Sequence, residues 1–101
     1  MLLEEFLIWW HDRHAQLIGA TKAEVTFGLA ELLHRFLSLH PFLDGNGRVA
    51  RAITDQAARE LLNQGVGPEL VENSASYYEA LRAGDRGDLS ALAERIHAAL
   101  E

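Results

Sequence analysis

The chain has 101 residues, of which 49% are hydrophobic and 24% charged, a composition typical of one globular domain with a single core. It contains no cysteine, which excludes disulfide and thiol chemistry, and its formal net charge of −6 argues against a nucleic-acid-binding or membrane-surface protein. The first residues lack the positive charge of a signal peptide, and no apolar run reaches membrane-spanning length, so a cytoplasmic location is the default expectation.

The first two predicted elements are helices. Apolar residues at helical spacing predict a helix over about 3–17. Thr21 and Glu24 form a capping box that opens a second helix, which ends near Leu39 because Pro41 disfavours helical backbone at the residue before it. This second helix is apolar on several sides, which predicts that it is central and mostly buried.

The next elements are a glycine-containing turn and a third helix. The turn is Gly45-Asn46-Gly47, in which a positive φ is accessible at each position. A helix is predicted to follow from about Arg48 to Gln64, and residues 68–73 are ambiguous.

Two shorter helices complete the predicted bundle. Ser74 or Ser76 caps a short fourth helix, a turn is predicted at 84–87, and Asp88 caps a last amphipathic helix. We therefore predict an all-α fold, a compact bundle of about five helices, with the glycine-containing loop joining the two central helices.

Two arginines near the start of the third helix carry an unusual charge pattern. Helix N-termini normally collect acidic residues, because the macrodipole is positive there. Arg48 and Arg51 break that rule, and their spacing places them on one helical face. Local rule-breaking of this kind is expected at functional sites, and the simplest compensating partner is a polyanion such as a phosphate chain.

The side chains around the turn have complementary chemistry. Backbone N–H groups of a glycine-rich turn and a helix N-terminus together bind anions. Arg48 would reach the phosphate oxygens nearest the turn, and Arg51 would reach the far end of the phosphate chain. Asp44 could hold Mg²⁺ against the same phosphates. His40 can act as a neutral base at physiological pH. Together these residues indicate transfer of a phosphorus-containing group to a hydroxyl.

The segment from His40 to Arg51 resembles the signature of the Fic family (the Fic/Doc superfamily), H-x-F-x-D/E-G-N-G-R-x-x-R, at every fixed position. The stretch 77–81 and the turn at 87–89 are also similar, so the resemblance extends from about Glu24 onward. It implies a Fic-type adenylyltransferase that uses Mg²⁺ and ATP to transfer AMP to a Ser, Thr or Tyr hydroxyl of a target protein.

The resemblance also implies a role for each residue of the signature. His40 would be the general base, Asp44 would bind Mg²⁺, and Phe42 would anchor the loop in the core. The remaining positions would hold the nucleotide phosphates: Gly45, Asn46 and Gly47 in the anion nest, with Asn46 orienting phosphate, Arg48 on phosphate oxygens and Arg51 on the γ-phosphate. Glycine at 45 and arginine at 48 fit the AMP-transferring majority rather than the Doc-like kinases.

Family enzymes usually carry a β-hairpin flap, N-terminal to this core, that docks the target segment. No hairpin signal precedes the first predicted helix, so we expect residues 1–101 to be a single Fic-like catalytic core without the flap. Either the flap lies in a longer parent protein, or targets dock differently.

A convincing inhibitory motif, S/T-x-x-x-E-G/N, is also missing. Ser90 and Glu94 match its spacing, but Arg95 follows, and the pair is interpreted as plain helix surface. We therefore expect either that the domain is constitutively competent for transfer, or that a separate antitoxin-like protein inhibits it by supplying the glutamate in trans.

Other interpretations stay open at this stage. The chain could be a module that binds nucleotide or a partner without turnover, or a transferase with a different nucleotide-linked donor, since the signature specifies the phosphate cradle and not the base pocket. Tyr77 and Tyr78 could meet the adenine or be self-modified, but core packing with one exposed hydroxyl is favoured.

Overall fold

The computed structural model describes residues 2–101 and confirms the all-α prediction. The helices are α1 (Leu3–Leu17), α2 (Lys22–Leu39), α3 (Asn46–Leu62), α4 (Ser74–Asp85) and α5 (Ser90–Ala99), with a short 3-10 turn at Pro68–Val71. Within residues 2–101, no helix combines the length and the apolarity that crossing a bilayer requires.

Helix α2 lies at the centre, as its all-round apolarity predicted, and packs against α1, α3 and α5. Its buried side chains are Val25, Thr26, Leu29, Ala30, Leu32, Leu33 and Phe36. Each large side chain of this kind contributes about 1.5–3 kcal/mol when it leaves water. Helix α3 faces α2 with small residues such as Ala50 and Ala57, so the two helices that flank the glycine-containing loop approach each other closely.

Both ends of α2 lie where local chemistry predicted them. The Glu24 N–H donates to Thr21 Oγ1 at 3.2 Å, and that hydroxyl donates to the Glu24 carboxylate at 2.9 Å. The helix ends at Leu39, and His40 adopts the left-handed conformation with φ 48°. Pro41 makes the helical region unfavourable for His40.

Several predicted boundaries and caps were wrong. Neither Ser74 nor Ser76 caps the fourth helix, because α4 begins at Ser74 with Asn73 as its N-cap and has no side-chain capping bond. Helix α3 begins at Asn46, two residues before the predicted start, because Asn46 and Gly47 adopt helical backbone. Helix α4 runs through Gly84 to Asp85, where a turn was predicted. Gly84 is buried against His34, whose Cδ2 would lie 2.6 Å from a Cβ at this position. This glycine therefore permits close helix packing, and the turn follows it.

The C-terminal third is held by specific hydrogen bonds. The prediction that Asp88 is the N-cap of the last helix is wrong by one residue, because α5 starts at Ser90 and its N-cap is Leu89. Asp88 still binds the start of the helix, since its Oδ1 accepts from the Ser90 N–H at 3.0 Å and from the Ser90 hydroxyl at 2.6 Å. The ambiguous segment 68–73 contains the 3-10 turn, and Arg95 donates to the carbonyl oxygens of Leu70 and Glu72 within it. These bonds fasten α5 to the segment that precedes α4.

Candidate functional site

His40 lies at the junction of α2 and the glycine-containing loop. Its Nδ1 is 2.6 Å from the carbonyl oxygen of Leu37. A carbonyl can only accept, so Nδ1 carries the proton in this contact. In a neutral ring, Nε2 is then the nitrogen with a free lone pair. The fold thus fixes the tautomer that a general base requires.

The loop after His40 is closed by the side chain of Asn46. The Phe42 N–H donates to Asn46 Oδ1 at 3.0 Å, and Asn46 Nδ2 donates to the Phe42 carbonyl oxygen at 2.8 Å. One Asp44 carboxylate oxygen accepts from the Gly45 N–H at 2.8 Å. Asn46 therefore holds the shape of the loop, while its contact with phosphate stays a prediction.

Phe42 differs from expectation. Its side chain is 49% exposed, and its ring lies at the edge of the core, 6.4 Å from the ring of Phe36. The prediction that Phe42 anchors the loop in the core is wrong, because the closure by Asn46 holds the backbone at Phe42 while leaving the ring half in solvent.

The N-terminus of α3 has the backbone geometry of an anion-binding turn. Gly45 adopts φ +79°, which favours glycine because a Cβ is strained there. The first intrahelical hydrogen bond runs from the Val49 N–H to the Gly45 carbonyl at 3.1 Å, so the amides of residues 46–48 precede the ladder. No acidic residue lies in the first turn. The positive end of the helix dipole thus stays available to an anion.

The signature residues divide between two neighbouring clefts. The first, the His40 cleft, has a volume of about 280 Å³ and is lined by Leu37, His40, Asn46, Gly47, Arg51, Tyr77, Tyr78 and Leu81. The second, the Asp44 cleft, has a volume of about 550 Å³ and is lined by Phe42, Asp44, Gly45, Arg48, Val49 and Ala52. The candidate base and Arg51 therefore share one cleft, while Asp44 and Arg48 face another beside the first turn of α3.

Arg51 lies directly over Gly47 in the His40 cleft. A Cβ at residue 47 would be 2.9 Å from Arg51 Nη1, so glycine lets the guanidinium approach the backbone. Arg51 also lies close enough to Tyr77 to influence its ionisation. Burial raises the pKa of Tyr77, and the positive charge of Arg51 partly opposes that rise.

The two adjacent tyrosines have different environments. Tyr77 is 3% exposed and Tyr78 is 55% exposed, in line with the prediction of core packing with one exposed hydroxyl. The Tyr77 hydroxyl is buried, and the Arg51 side chain approaches it without reaching the geometry of a full hydrogen bond. Sequence reasoning did not single out this hydroxyl, because the YY pair does not say which ring turns inward.

Asp44 fits only one kind of metal site. Within residues 2–101, no three His, Asp or Glu side chains come together as a set of metal ligands. Asp44 is exposed, and a single carboxylate suits Mg²⁺ held mainly by substrate phosphates rather than by a protein cage. The donor chemistry is therefore compatible with a nucleotide-bound Mg²⁺.

Comparison with known proteins agrees with the signature. The model of the Fic/DOC family matches residues 1–58. A Fido domain-containing protein of Dictyostelium discoideum is 35% identical over 84% of this chain and 59% of its own length. The proteins named protein adenylyltransferase Fic of Drosophila melanogaster and Drosophila sechellia are each 28% identical over 88% of this chain.

The match covers only part of each relative. The chain spans 59% of the Dictyostelium protein and 17% of each of the two Drosophila proteins. No solved structure matches the chain significantly.

Proposed function

Because this chain belongs to the Fic/DOC family, we propose that it is a catalytic core that transfers AMP from ATP to a Ser, Thr or Tyr hydroxyl of a target protein. The observation that carries the proposal is the tautomer of His40. The Leu37 carbonyl accepts a hydrogen bond from the Nδ1–H of His40, so Nδ1 keeps its proton, and the basic Nε2 belongs to a side chain that shares a cleft with Arg51 and with Asn46 and Gly47 at the start of α3.

In the proposed step, His40 Nε2 accepts the proton of the target hydroxyl. The hydroxyl oxygen attacks the α-phosphorus and forms the new P–O bond. The bond from the α-phosphorus to the oxygen that bridges to the β-phosphate breaks, and its electron pair leaves with pyrophosphate. A positioned base of this kind contributes about 10²–10⁴-fold to the rate.

The phosphates would be held from both sides of the first turn of α3. The amides of Asn46 and Gly47 and the guanidinium of Arg51 serve the His40 cleft, while Arg48 approaches from the Asp44 cleft. Asp44 would hold Mg²⁺ against the phosphate oxygens, where the ion would neutralise negative charge. Donors aimed at the phosphates in this way favour the charge that develops on pyrophosphate.

We expect His40→Ala to lower label transfer by at least 100-fold, because it removes the base and leaves the anion site intact. The measurement is incorporation of α-labelled ATP into lysate proteins with Mg²⁺. His97→Ala is the matched control, since His97 is exposed on α5 and lines neither cleft.

Equal labelling by wild type and His40→Ala would refute this assignment. The same assay with other labelled nucleotides, and with a nucleotide-linked choline, identifies the donor, because neither cleft by itself specifies the base.

A nucleotide-binding module without turnover is the second candidate. It is favoured by the placement of Asp44 and Arg48 in a different cleft from His40, because transfer requires one phosphate chain to extend across both clefts and binding alone does not. Calorimetric binding of ATP that requires Arg48, with no labelling from any donor, would favour this function, and detectable transfer would remove it.

A further inference from the structure

Leu43 is a large apolar side chain that projects into solvent beside the candidate site. Its relative exposure of 108% shows that no other part of the described chain covers it. The preceding Phe42 is half exposed, so two consecutive large apolar side chains face water. Single exposed leucines are ordinary on protein surfaces, whereas exposed apolar residues that lie together beside a site mark interactions. The rigidity and the position of this pair are therefore informative.

The loop that carries Leu43 has a defined shape. The Asn46 side chain bonds both the N–H and the carbonyl oxygen of Phe42, at 3.0 Å and 2.8 Å. On the other side of Leu43, the Asp44 carboxylate accepts from the Gly45 N–H at 2.8 Å. These bonds fix the backbone before and after Leu43, so a partner that contacts this side chain pays little backbone entropy for ordering the loop.

The same loop borders both clefts of the candidate site. His40 at its start lines one cleft, whereas Phe42 and Asp44 line the other. Leu43 lines neither cleft. A nucleotide that occupies the clefts would therefore leave Leu43 uncovered, and this side chain stays free to contact the second substrate, the protein that brings its hydroxyl to His40.

The spacing along the chain limits the distance between such a contact and the reacting hydroxyl. Leu43 follows His40 by three residues, so their Cα atoms are at most about 11 Å apart. An extended peptide advances about 3.3 Å per residue. A target side chain two or three residues from the modified hydroxyl would therefore lie at Leu43.

We propose that Leu43 is a specificity-determining residue that selects targets with an apolar side chain two or three residues from the hydroxyl that receives AMP. The inference depends on the proposed function, because it concerns the protein substrate of the same transfer. Contact between two apolar side chains removes both from water, which favours such a target over one with a polar side chain at that position. The half-exposed ring of Phe42 extends the same apolar surface.

The test uses α-labelled ATP, Mg²⁺ and a library of synthetic peptides, each with one central serine, threonine or tyrosine and varied neighbours. We expect the wild type to label peptides with leucine two or three residues from the hydroxyl with about tenfold higher kcat/KM than peptides with glycine there. Leu43→Ser should remove this preference by raising the KM for the leucine peptides. Its kcat and its affinity for ATP should change by less than twofold, since Leu43 lines neither cleft.

Two further variants make the test specific. Leu43→Glu should change the preference from leucine to lysine or arginine at the same peptide position, because a contact residue sets specificity through its own chemistry. Ile8→Ser is the matched control: Ile8 is also exposed, at 66%, but lies on α1 and lines neither cleft, so this variant should keep the wild-type preference. All three variants should unfold thermally close to the wild type, since neither side chain is buried.

The inference is overturned if the wild type labels peptides without regard to apolar neighbours, if Leu43→Ser keeps the preference, or if Leu43→Glu does not change it. It is also overturned if Ile8→Ser loses the preference equally, or if lysate proteins are labelled and no library peptide is. In each of these cases transfer is observed, so the proposed function stands. Absence of label from every peptide and every lysate protein refutes the proposed function and this inference together.

Discussion

His40 combines an unfavourable backbone with a useful side chain. A non-glycine residue in the left-handed region costs on the order of 1–3 kcal/mol, and His40 adopts φ 48°. The conformation ends α2 while the ring stays within 2.6 Å of the Leu37 carbonyl, one turn back along the helix. The strain is therefore coupled to the orientation of the candidate base, and the closely packed α2 supplies the stability that tolerates it.

Gly45 is the second position where backbone conformation bears on the site. We expect Gly45→Ala to lower the free energy of unfolding by about 1 kcal/mol, because its φ of +79° strains any Cβ. The new Cβ would also lie 3.2 Å from Arg48 Nη2 and displace that guanidinium, so nucleotide binding should weaken several-fold. Urea unfolding and calorimetry measure the two effects.

Gly19→Ala is the matched control for this change. Gly19 has the same φ of +79°, but a Cβ there meets nothing within 4 Å, so it should lose similar stability and no nucleotide affinity. Equal affinity of wild type and Gly45→Ala would contradict the placement of Arg48 on the phosphates.

At the scale of elements, α5 acts as a brace rather than as part of the site. Arg95 on its inner side donates to the carbonyl oxygens of Leu70 and Glu72 and to the hydroxyl of Ser76, and so holds the backbone that leads into α4. Glu94 is exposed. It precedes Arg95, and adjacent helical residues point about 100° apart, so the two side chains lie on different sides of α5. The side of α5 that carries Glu94 therefore differs from the side that supports Tyr77.

We expect Glu94→Gln to change transfer activity by less than twofold, since Glu94 lines neither cleft. Glu94→Gly should have the same transfer activity as Glu94→Gln, but it should lose about 1 kcal/mol of stability because glycine weakens a helix interior. Arg51→Ala, by contrast, should weaken ATP use. Strong activation by either Glu94 variant, dependent on Arg51, would place an inhibitory glutamate in α5.

For the molecule as a whole, hydrogen-bonded carboxylates make the free energy of unfolding depend on pH. The Arg59 guanidinium and the Val66 N–H hold the pKa of Asp55 below its ordinary value of 3.8. Hydrogen bonds from Arg82 and Arg86 lower the pKa of Glu79. The hydroxyl and the N–H of Ser90 lower that of Asp88. A lowered pKa in the folded state contributes stability above the unfolded-state pKa, and that contribution disappears as pH falls through the folded-state value.

These three carboxylates should therefore leave the urea midpoint nearly constant between pH 7 and 5. At pH values under about 4, the urea midpoint should decrease. Asp55→Asn should lose about 1 kcal/mol at pH 7 and show a shallower acid decline, because Asp55 joins α3 to Val66 at 2.8 Å. Asp12→Asn, at an exposed carboxylate on α1, is the control. An acid profile of Asp55→Asn that parallels the wild type would contradict this linkage.

Much of the fold could be predicted because its determinants are local. The capping box at Thr21, the helix end before Pro41 and the central position of α2 all depend on neighbouring residues and on periodicity. The boundary at Gly84 could not be predicted, because the sequence does not distinguish a glycine that forms a turn from a glycine that allows His34 to pack against a helix. The prediction that Phe42 is buried was wrong for a similar reason, since an aromatic residue in a loop is buried only if a neighbouring element covers it.

The sequence by itself determined the identity and order of the chemical groups: a histidine, a carboxylate, a glycine-containing turn and two arginines at the start of a helix. These groups lie within twelve consecutive residues, so their chemistry depends little on distant contacts. The free nitrogen of His40 follows from a contact with Leu37 three residues away, but its geometry was visible only in the structure. Only the tertiary structure decided which groups share a cleft, and that Tyr77 rather than Tyr78 turns a hydroxyl inward. Those two outcomes depend on how α4 lies against the rest of the bundle, and contacts between segments so far apart in sequence have no local signature.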